Sequence, residues 1–191
     1  MRARAVVLVA AVVLLAGCTV SVSPTGDATT ASPGSFENRT ATVTAVVDGD
    51  TVDVRFRDGS TERVRLLGVD TPEVRADNTP AEFEGVPDTD AGERCLRDAG
   101  TDASEYATQT LDGETVTVAV DPASDRRGDY GRLLAYVFVD GRNVNYRLVE
   151  QGHARVYDAP FSLAERFYRA ESDAQAARRG VWACRDPAAG T

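Results

Sequence analysis

Polar and apolar residues alternate with a period of two over much of the chain after residue 40. Alternation over Thr40 to Val47, Val52 to Arg57 and Arg63 to Val69 is typical of half-buried β-strands. Asp-Gly dipeptides at 48–49 and 58–59 separate the three runs, and Asp-Gly favours tight hairpins because both residues tolerate a positive φ. The pattern predicts a three-stranded antiparallel meander.

Two later runs and three helical segments complete the pattern. Thr115 to Val120 and Leu133 to Val139 have the length and apolar content of strands, which brings the count to five and indicates a small closed or nearly closed barrel. Helices are predicted at Ser104 to Leu111, at Val144 to Gln151, and after a Ser162/Glu165 capping box. The fold class is therefore α+β, mainly β, with about three packed helices.

The first residues have the pattern of an export signal. Arg2 and Arg4 precede an apolar run, Ala5 to Ala16, that is too short to cross a bilayer of about 30 Å. The run ends in Leu-Ala-Gly-Cys18, similar to a lipobox, so we expect lipidation at Cys18 and a protein on the outer face of the cell membrane; plain secretion is the alternative. Residues 19–38 are polar and predict a tether, residues 39–184 the folded domain and residues 185–191 a tail.

Cysteine usage fits an exported protein. With Cys18 lipidated, Cys95 and Cys184 remain as a candidate disulfide that would tie down residues 74–103, which are predicted to form a long irregular loop. A zinc site with His153 is the competing interpretation, but the scattered spacing disfavours it. Asn38 begins an Asn-Arg-Thr sequon, a candidate glycosylation site at which a chance match is at least as good an explanation.

Composition narrows the classes of partner. The chain has 30 acidic residues, 21 arginines and no lysine, for a formal net charge of -9. Such an acid excess is typical of proteins from salt-loving organisms, with compositional drift as the plainer explanation. A binder that relies on a broad basic surface for nucleic acid is disfavoured.

Charged side chains collect at the predicted strand ends. Asp50 follows the first turn, Asp70 to Glu73 close the third strand, and Arg132 begins the fifth. In a barrel these ends meet at one rim, where gathered carboxylates call for a hard cation such as Ca²⁺ or Mg²⁺ and arginines suit phosphate oxygens. The set indicates metal-assisted phosphodiester hydrolysis, against the simpler alternative of surface ion pairs.

Four stretches carry a resemblance to a known family: VVDGDTVDV at 46–54, VRLLGVDTPE at 64–73, DYGRLLAYVFVDGRNVN at 129–145 and LVEQGHARV at 148–156. From about Thr40 to Trp182 the chain resembles the staphylococcal nuclease-like (thermonuclease) domains. That resemblance implies a five-stranded OB-fold barrel and activity on DNA and RNA. Residues 74–103 depart from the family's shorter, lysine-rich loop, and the role of Tyr157 is open.

The resemblance also implies roles for individual residues. Asp50 and Asp70 would bind Ca²⁺ through carboxylates and Thr71 through its backbone carbonyl, while Glu73 would orient or deprotonate the attacking water. The phosphate contacts would come from Arg65, Tyr130 and Arg132.

Two functional hypotheses follow. The first is a Ca²⁺-dependent, sugar-non-specific nuclease acting as a monomer. The second is a catalytically silent OB-fold that binds nucleic acid or a protein partner. Retention of both aspartates, both arginines and Glu73 favours the enzyme.

Overall fold

A computed structural model describes residues 36–187. Its strands are β1 (Glu37–Val46), β2 (Thr51–Phe56), β3 (Thr61–Leu66), β4 (Val69–Asp70), β5 (Thr115–Val120), β6 (Leu133–Val139), β7 (Arg142–Asn143) and β8 (Arg155–Val156). Its helices are α1 (Asp90–Leu111), α2 (Val144–Glu150) and α3 (Ala164–Ala176), with 3-10 turns at Pro80–Glu82, Asp129–Gly131 and Gly180–Arg185. All five predicted strands are present.

The main sheet closes into a barrel. Its strand order is β3-β2-β1-β5-β6-β7, and an additional parallel pairing of β3 with β6 joins the two sides. In that pairing Val64 lies opposite Leu133 and Arg65 opposite Leu134, so the end of the meander sits beside the start of β6. The five long strands and three helices form an OB-fold, which confirms the predicted architecture.

The period-two pattern faces the barrel interior as expected. Val52, Val54 and Phe56 of β2 are at most 3% exposed, whereas Arg55 between them is exposed. Helix α3 covers one side of the barrel through Phe167, whose ring meets the rings of Tyr146 and Phe161 at centroid distances of 5.7 and 5.3 Å. The domain therefore has one main apolar core, in which aromatic rings from the helical side pack against the side chains of the strands.

The predicted irregular loop over residues 74–103 is only half right: residues 74–89 are irregular apart from one 3-10 turn, whereas α1 begins at Asp90 and continues through the segment predicted as a short helix. Thr89 caps it by accepting a hydrogen bond from the Gly92 amide at 3.2 Å. The apolar periodicity was weak because the buried face is mostly glycine and alanine, residues that carry little hydrophobic signal. Tertiary packing here overrides the helix-weakening effect of internal glycines.

The predicted capping box of α3 is also wrong. The helix begins at Ala164 with Leu163 at the N-cap position, and no side chain caps it. The Ser162 hydroxyl and amide instead both donate to Asp121, each at 2.6 Å. A buried carboxylate is the stronger acceptor for these two donors, so Ser162 serves the core and not the helix end.

A second, smaller cluster ties α1 to the C-terminal turn. Its buried members are Phe83, Val86, Leu96, Ala99, Ala174, Val181, Trp182 and Cys184. Cys95 of α1 and Cys184 are paired as a disulfide with Cα atoms 5.6 Å apart, a spacing that the bond requires. The disulfide thus ties the helical half of the predicted loop to the C-terminal turn.

The predictions for the N-terminal residues fall only partly within the described region. β1 begins at Glu37, and Phe36 packs against Tyr136 with ring centroids 5.3 Å apart, so the fold starts slightly before the predicted boundary at residue 39. Asn38 is exposed within β1, and its glycosylation stays a prediction. Cys18 and most of the predicted tether lie outside the described residues. Within residues 36–187 no helix is long and apolar enough to span a membrane.

Asp121 predicts a pH-dependent contribution to stability. Burial opposes its ionisation, yet hydrogen bonds from Ser162, Ala123 and Tyr136 hold the pKa of Asp121 below its usual value. A lowered folded pKa stabilises the fold above the unfolded value of about 3.9, and this stabilisation is lost as pH falls through the folded pKa. We expect Asp121→Asn to lower the free energy of unfolding by about 2 kcal/mol at pH 7.

Urea unfolding between pH 7 and pH 3 measures this difference. The difference in free energy of unfolding between wild type and Asp121→Asn should become smaller below about pH 4. Asp125→Asn, a change of an exposed carboxylate four positions away, is the control and should not alter stability. A difference in free energy of unfolding that does not change with pH would contradict a stabilising role for the ionised Asp121 carboxylate.

The disulfide predicts a redox-dependent melting temperature. Its cysteines are 89 residues apart, and closing so long a segment contributes roughly 4–5 kcal/mol by the chain-entropy account. Cys95→Ser, or reduction of the wild type, should lower the melting temperature measured by circular dichroism. Reductant should have no effect on the Cys95→Ser/Cys184→Ser double variant. Two free thiols in unreduced protein would rule the bond out.

Candidate functional site

The β1–β2 turn, β3 and β4 bring three of the predicted charged residues to one rim of the barrel. Asp50 lies in the turn between β1 and β2, Arg65 lies near the end of β3, and Asp70 ends β4. The β2–β3 ladder places Thr51 opposite Arg65, and the Leu66 amide donates to the Asp50 carbonyl at 2.8 Å. Residues that are 20 positions apart in sequence thereby become neighbours in space.

Arg65 bridges the two aspartates. Its Nη1 contacts Asp50 Oδ1, and its Nη2 donates to Asp70 Oδ1 at 2.6 Å. Asp50 is 1% exposed, so its charge is almost fully removed from water. Two carboxylates that converge in such a place require a positive charge between them, and the guanidinium supplies it.

Asp50 is held rigidly from the other side. Its Oδ2 accepts hydrogen bonds from the amide and the hydroxyl of Thr71 at 3.0 and 3.1 Å, and its Oδ1 accepts one from the Thr51 hydroxyl at 3.0 Å. Gly49 permits this approach, since a Cβ at that position would lie 2.9 Å from the Thr71 side chain. The turn and the segment after β4 are therefore locked together.

Arg155 also belongs to this site, a placement that the sequence pattern does not predict. β4 pairs with β8 so that Asp70 lies opposite Arg155, whose Nη2 is 2.7 Å from Asp70 Oδ2 and 3.4 Å from Glu82 Oε2. Each oxygen of Asp70 thus meets one guanidinium. Arg155 is inside the quoted motif LVEQGHARV, but strands of two residues leave no periodic signal that would place it beside Asp70.

Arg132 lies directly before β6, in the same region of the barrel rim. It shares a surface depression with Arg65 and Tyr157. Its Nε is buried and, within the described part of the chain, has no hydrogen-bond partner. A buried unpaired donor costs about 1–3 kcal/mol, so this atom is suited to an acceptor brought by a ligand.

Two tyrosine rings lie near the arginines of this region. Tyr130 is 95% exposed, and the Arg132 guanidinium lies 5.8 Å from its ring centroid. The backbone of Tyr130 has a φ of 63°, an uncommon conformation that turns the residue outward. Tyr157, to which the sequence gives no role, lines the depression shared with Arg65 and Arg132 and is 47% exposed. Both rings are available to a ligand beside the arginines.

Glu73 is placed differently. Its side chain is exposed and lines a separate depression with Asp48 of the β1–β2 turn and Ser104 of α1. Among the described residues its carboxylate makes no hydrogen bond or ion pair. The structure thus brings Asp50, Arg65, Asp70 and Thr71 into contact with one another. The Glu73 side chain lies in a separate depression and makes no hydrogen bond or ion pair with any of them.

The donor set fits a hard divalent cation. Two carboxylates and a neighbouring backbone carbonyl are the oxygen ligands that Ca²⁺ and Mg²⁺ take. The region between residues 36 and 187 contains no group of three or more His, Cys, Asp or Glu side chains that could hold a metal, so water and backbone oxygens would have to complete the shell. The Arg65 guanidinium contacts the same two carboxylates, so a cation here would share them with Arg65.

The zinc alternative finds no support in the geometry. His153 stacks on Tyr106 with ring centroids 4.7 Å apart, and burial lowers the pKa of its imidazole. Cys95 and Cys184 are paired with each other. These three side chains therefore do not form one site.

Comparisons with known proteins agree with this geometry. Residues 63–184 match the family model described as "Staphylococcal nuclease homologue". An uncharacterized protein of Methanocaldococcus jannaschii is 39% identical over 147 residues, which cover 73% of this chain and 70% of that protein. A thermonuclease of Staphylococcus hyicus is 29% identical over 93% of this chain and 94% of its own length.

A further relative is longer than the matched region. Endonuclease YncB of Bacillus subtilis is 33% identical over 144 residues, and the match spans only 60% of its length. The match with the family model covers more than half of this chain and includes Arg65, Asp70, Glu73, Arg132 and Arg155. The chain belongs to the staphylococcal nuclease family.

Proposed function

We propose that this protein is a Ca²⁺-dependent endonuclease that hydrolyses phosphodiester bonds in both DNA and RNA. The observation that carries the proposal is the pair of converging carboxylates, Asp50 and Asp70, joined by Arg65 beside the unpaired Nε of Arg132. The names of the thermonuclease and endonuclease relatives support the same class of reaction.

Each part of the site has a role in this reaction. The carboxylates of Asp50 and Asp70 and the carbonyl of Thr71 would hold Ca²⁺, which when bound neutralises charge on the phosphate and orients water. Arg65 and Arg132 donate to phosphoryl oxygens, for which the planar fork of arginine is well shaped. Arg155 keeps one oxygen of Asp70 occupied, so that the other faces Arg65 and the site.

Glu73 acts as the base. It accepts a proton from the attacking water as the water oxygen forms a bond to phosphorus and the bond to the leaving oxygen breaks. The leaving oxygen takes a proton from solvent. Arginine donors next to the phosphoryl oxygens stabilise the charge that develops there, which is usually the largest contribution to such catalysis.

The acidic surface is compatible with a polyanionic substrate. The formal net charge is -9, yet the rim itself presents Arg65, Arg132 and Arg155. At molar salt the Debye length is about 3 Å, so distant carboxylates repel a nucleic acid weakly while contacts at the rim persist. Binding of the substrate requires positive charge at the rim and does not require a positive net charge on the whole protein.

The alternative is a catalytically silent OB-fold that binds nucleic acid or a protein partner. Such a module would need neither the buried Asp50 nor an arginine held between two carboxylates, because stacking and basic side chains suffice for binding. Incubation of the purified protein with single- and double-stranded DNA and RNA, with Ca²⁺ or chelator, at low and high salt, separates the two. Binding without cleavage under every condition would favour the silent module.

We also propose that the protein is exported and held on the outer face of the membrane by lipid at Cys18. The charged, apolar and small-residue order of residues 1–18 supports this. Fractionation of cells that express wild type or Cys18→Ser tests it, because loss of the lipid should move the protein from the membrane to the medium.

Chelation should abolish hydrolysis and leave the fold intact, because the proposed cation completes a rim site while the core is apolar. Asp50→Ala and Asp70→Ala should weaken Ca²⁺ binding measured by isothermal titration calorimetry. Their circular dichroism spectra check that the variants are folded. Equal hydrolysis in chelator and in Ca²⁺ would contradict the metal assignment.

Arg132→Ala should lower kcat by roughly 10²-fold, since it removes donors that stabilise the developing charge. Ca²⁺ affinity should stay at the wild-type value because no cation ligand is changed. Arg142→Ala, which removes an exposed arginine of β7, is the matched control and should keep full activity. Full turnover in Arg132→Ala would place the phosphate contacts elsewhere.

A further inference from the structure

The side chain of Glu73 has no partner in the described structure, but its backbone is fixed. The Glu73 amide donates to Asn78 Oδ1 at 2.8 Å, and Asn78 Nδ2 donates to the Glu73 carbonyl at 2.9 Å. One side-chain amide therefore binds both polar groups of the Glu73 main chain and closes the loop between the two residues. This pair of bonds sets where the Glu73 side chain starts.

The same loop rests on α1. Gly100 lies so close to it that an added Cβ would be 2.4 Å from the Pro72 carbonyl oxygen. Arg97 Nη1 donates to the carbonyls of Val74 and Ala76, both at 3.4 Å. The backbone on either side of Glu73 is thus supported by the helix, and Asn78 holds the position of Glu73 itself.

We propose that Asn78 is a positioning residue for Glu73. The inference rests on the proposed function, in which Glu73 accepts a proton from water. A carboxylate without a partner on an exposed loop samples many orientations from which it cannot accept a proton from the water. A displacement of about 1 Å at a reacting group can lower the rate about 10²-fold. Fixing the backbone at Glu73 restricts that motion without occupying the carboxylate.

The chemistry of the contact requires an amide. Asn offers a donor and an acceptor at once, whereas Asp of the same shape only accepts. Asn78→Asp should therefore keep the bond from the Glu73 amide and lose the bond to the Glu73 carbonyl. Asn78→Ala loses both.

The experiment compares steady-state cleavage of a defined oligonucleotide in Ca²⁺ by wild type, Asn78→Ala and Asn78→Asp. We expect Asn78→Ala to lower kcat roughly 10-fold to 100-fold with KM within about twofold, because Glu73 acts on water and not in binding substrate. Thr79→Ala is the matched control: the residue is exposed and its side chain makes no cap to the following turn, so kcat should be unchanged.

A double-mutant cycle separates positioning from a general loss of stability. If Asn78 acts through Glu73, Asn78→Ala should have no further effect on kcat in a Glu73→Gln background. An equal loss in both backgrounds would overturn the inference, as would full kcat in Asn78→Ala. Should Asn78→Ala fail to fold, Asn78→Asp takes its place, and full kcat in that variant would overturn the inference equally.

Failure of the proposed function gives a different result. Wild-type protein that cleaves no nucleic acid under any condition would overturn the nuclease assignment and this inference with it. A Glu73→Gln variant with full kcat would remove Glu73 as the base while cleavage persists. An active wild type with a slow Glu73→Gln and a fully active Asn78→Ala would overturn only the role of Asn78.

Discussion

The site depends on the convergence of two carboxylates on a single positive charge. Asp50 and Asp70 both contact Arg65, and Asp50 is almost completely buried. Carboxylates this close repel each other strongly unless a cation lies between them. The barrel brings them together because β3 carries the arginine to the end of the ladder that it shares with β2. The fold thus places an arginine at the point where the two carboxylates converge.

Much of this could be predicted from the sequence. The strands were visible because alternation over six to ten residues and Asp-Gly turns specify a meander, and the motif at 64–73 carries most of the rim chemistry in ten consecutive positions. Helix α1 was missed in its first half because its buried face is glycine and alanine. Arg155 was missed because it reaches Asp70 through strands too short for a pattern.

The small residues of α1 have a structural purpose. Gly100 lies against the Pro72 carbonyl, and Ala103 lies near Gly49. Larger side chains would push the helix away from the segment that carries Thr71 and Glu73. Conformational freedom lost by placing glycine in a helix, about 1 kcal/mol, is offset by a close fit that holds the rim in place. Gly100 therefore weakens the intrinsic helix propensity of α1, and together with Ala103 it allows the helix to pack closely against the rim.

The pairing of β4 with β8 has a consequence for the order of folding. Asp70 and Arg155 are far apart in the chain, and the parallel contact of β3 with β6 is non-local as well. Contacts of this kind form late, because long segments must first be closed. During synthesis from the N-terminus, the meander and β4, which carry Asp50 and Asp70, emerge well before β8, which carries Arg155. A nascent or truncated chain therefore holds Asp50 and Asp70 without Arg155, and the rim is complete only when the C-terminal part of the domain has been made.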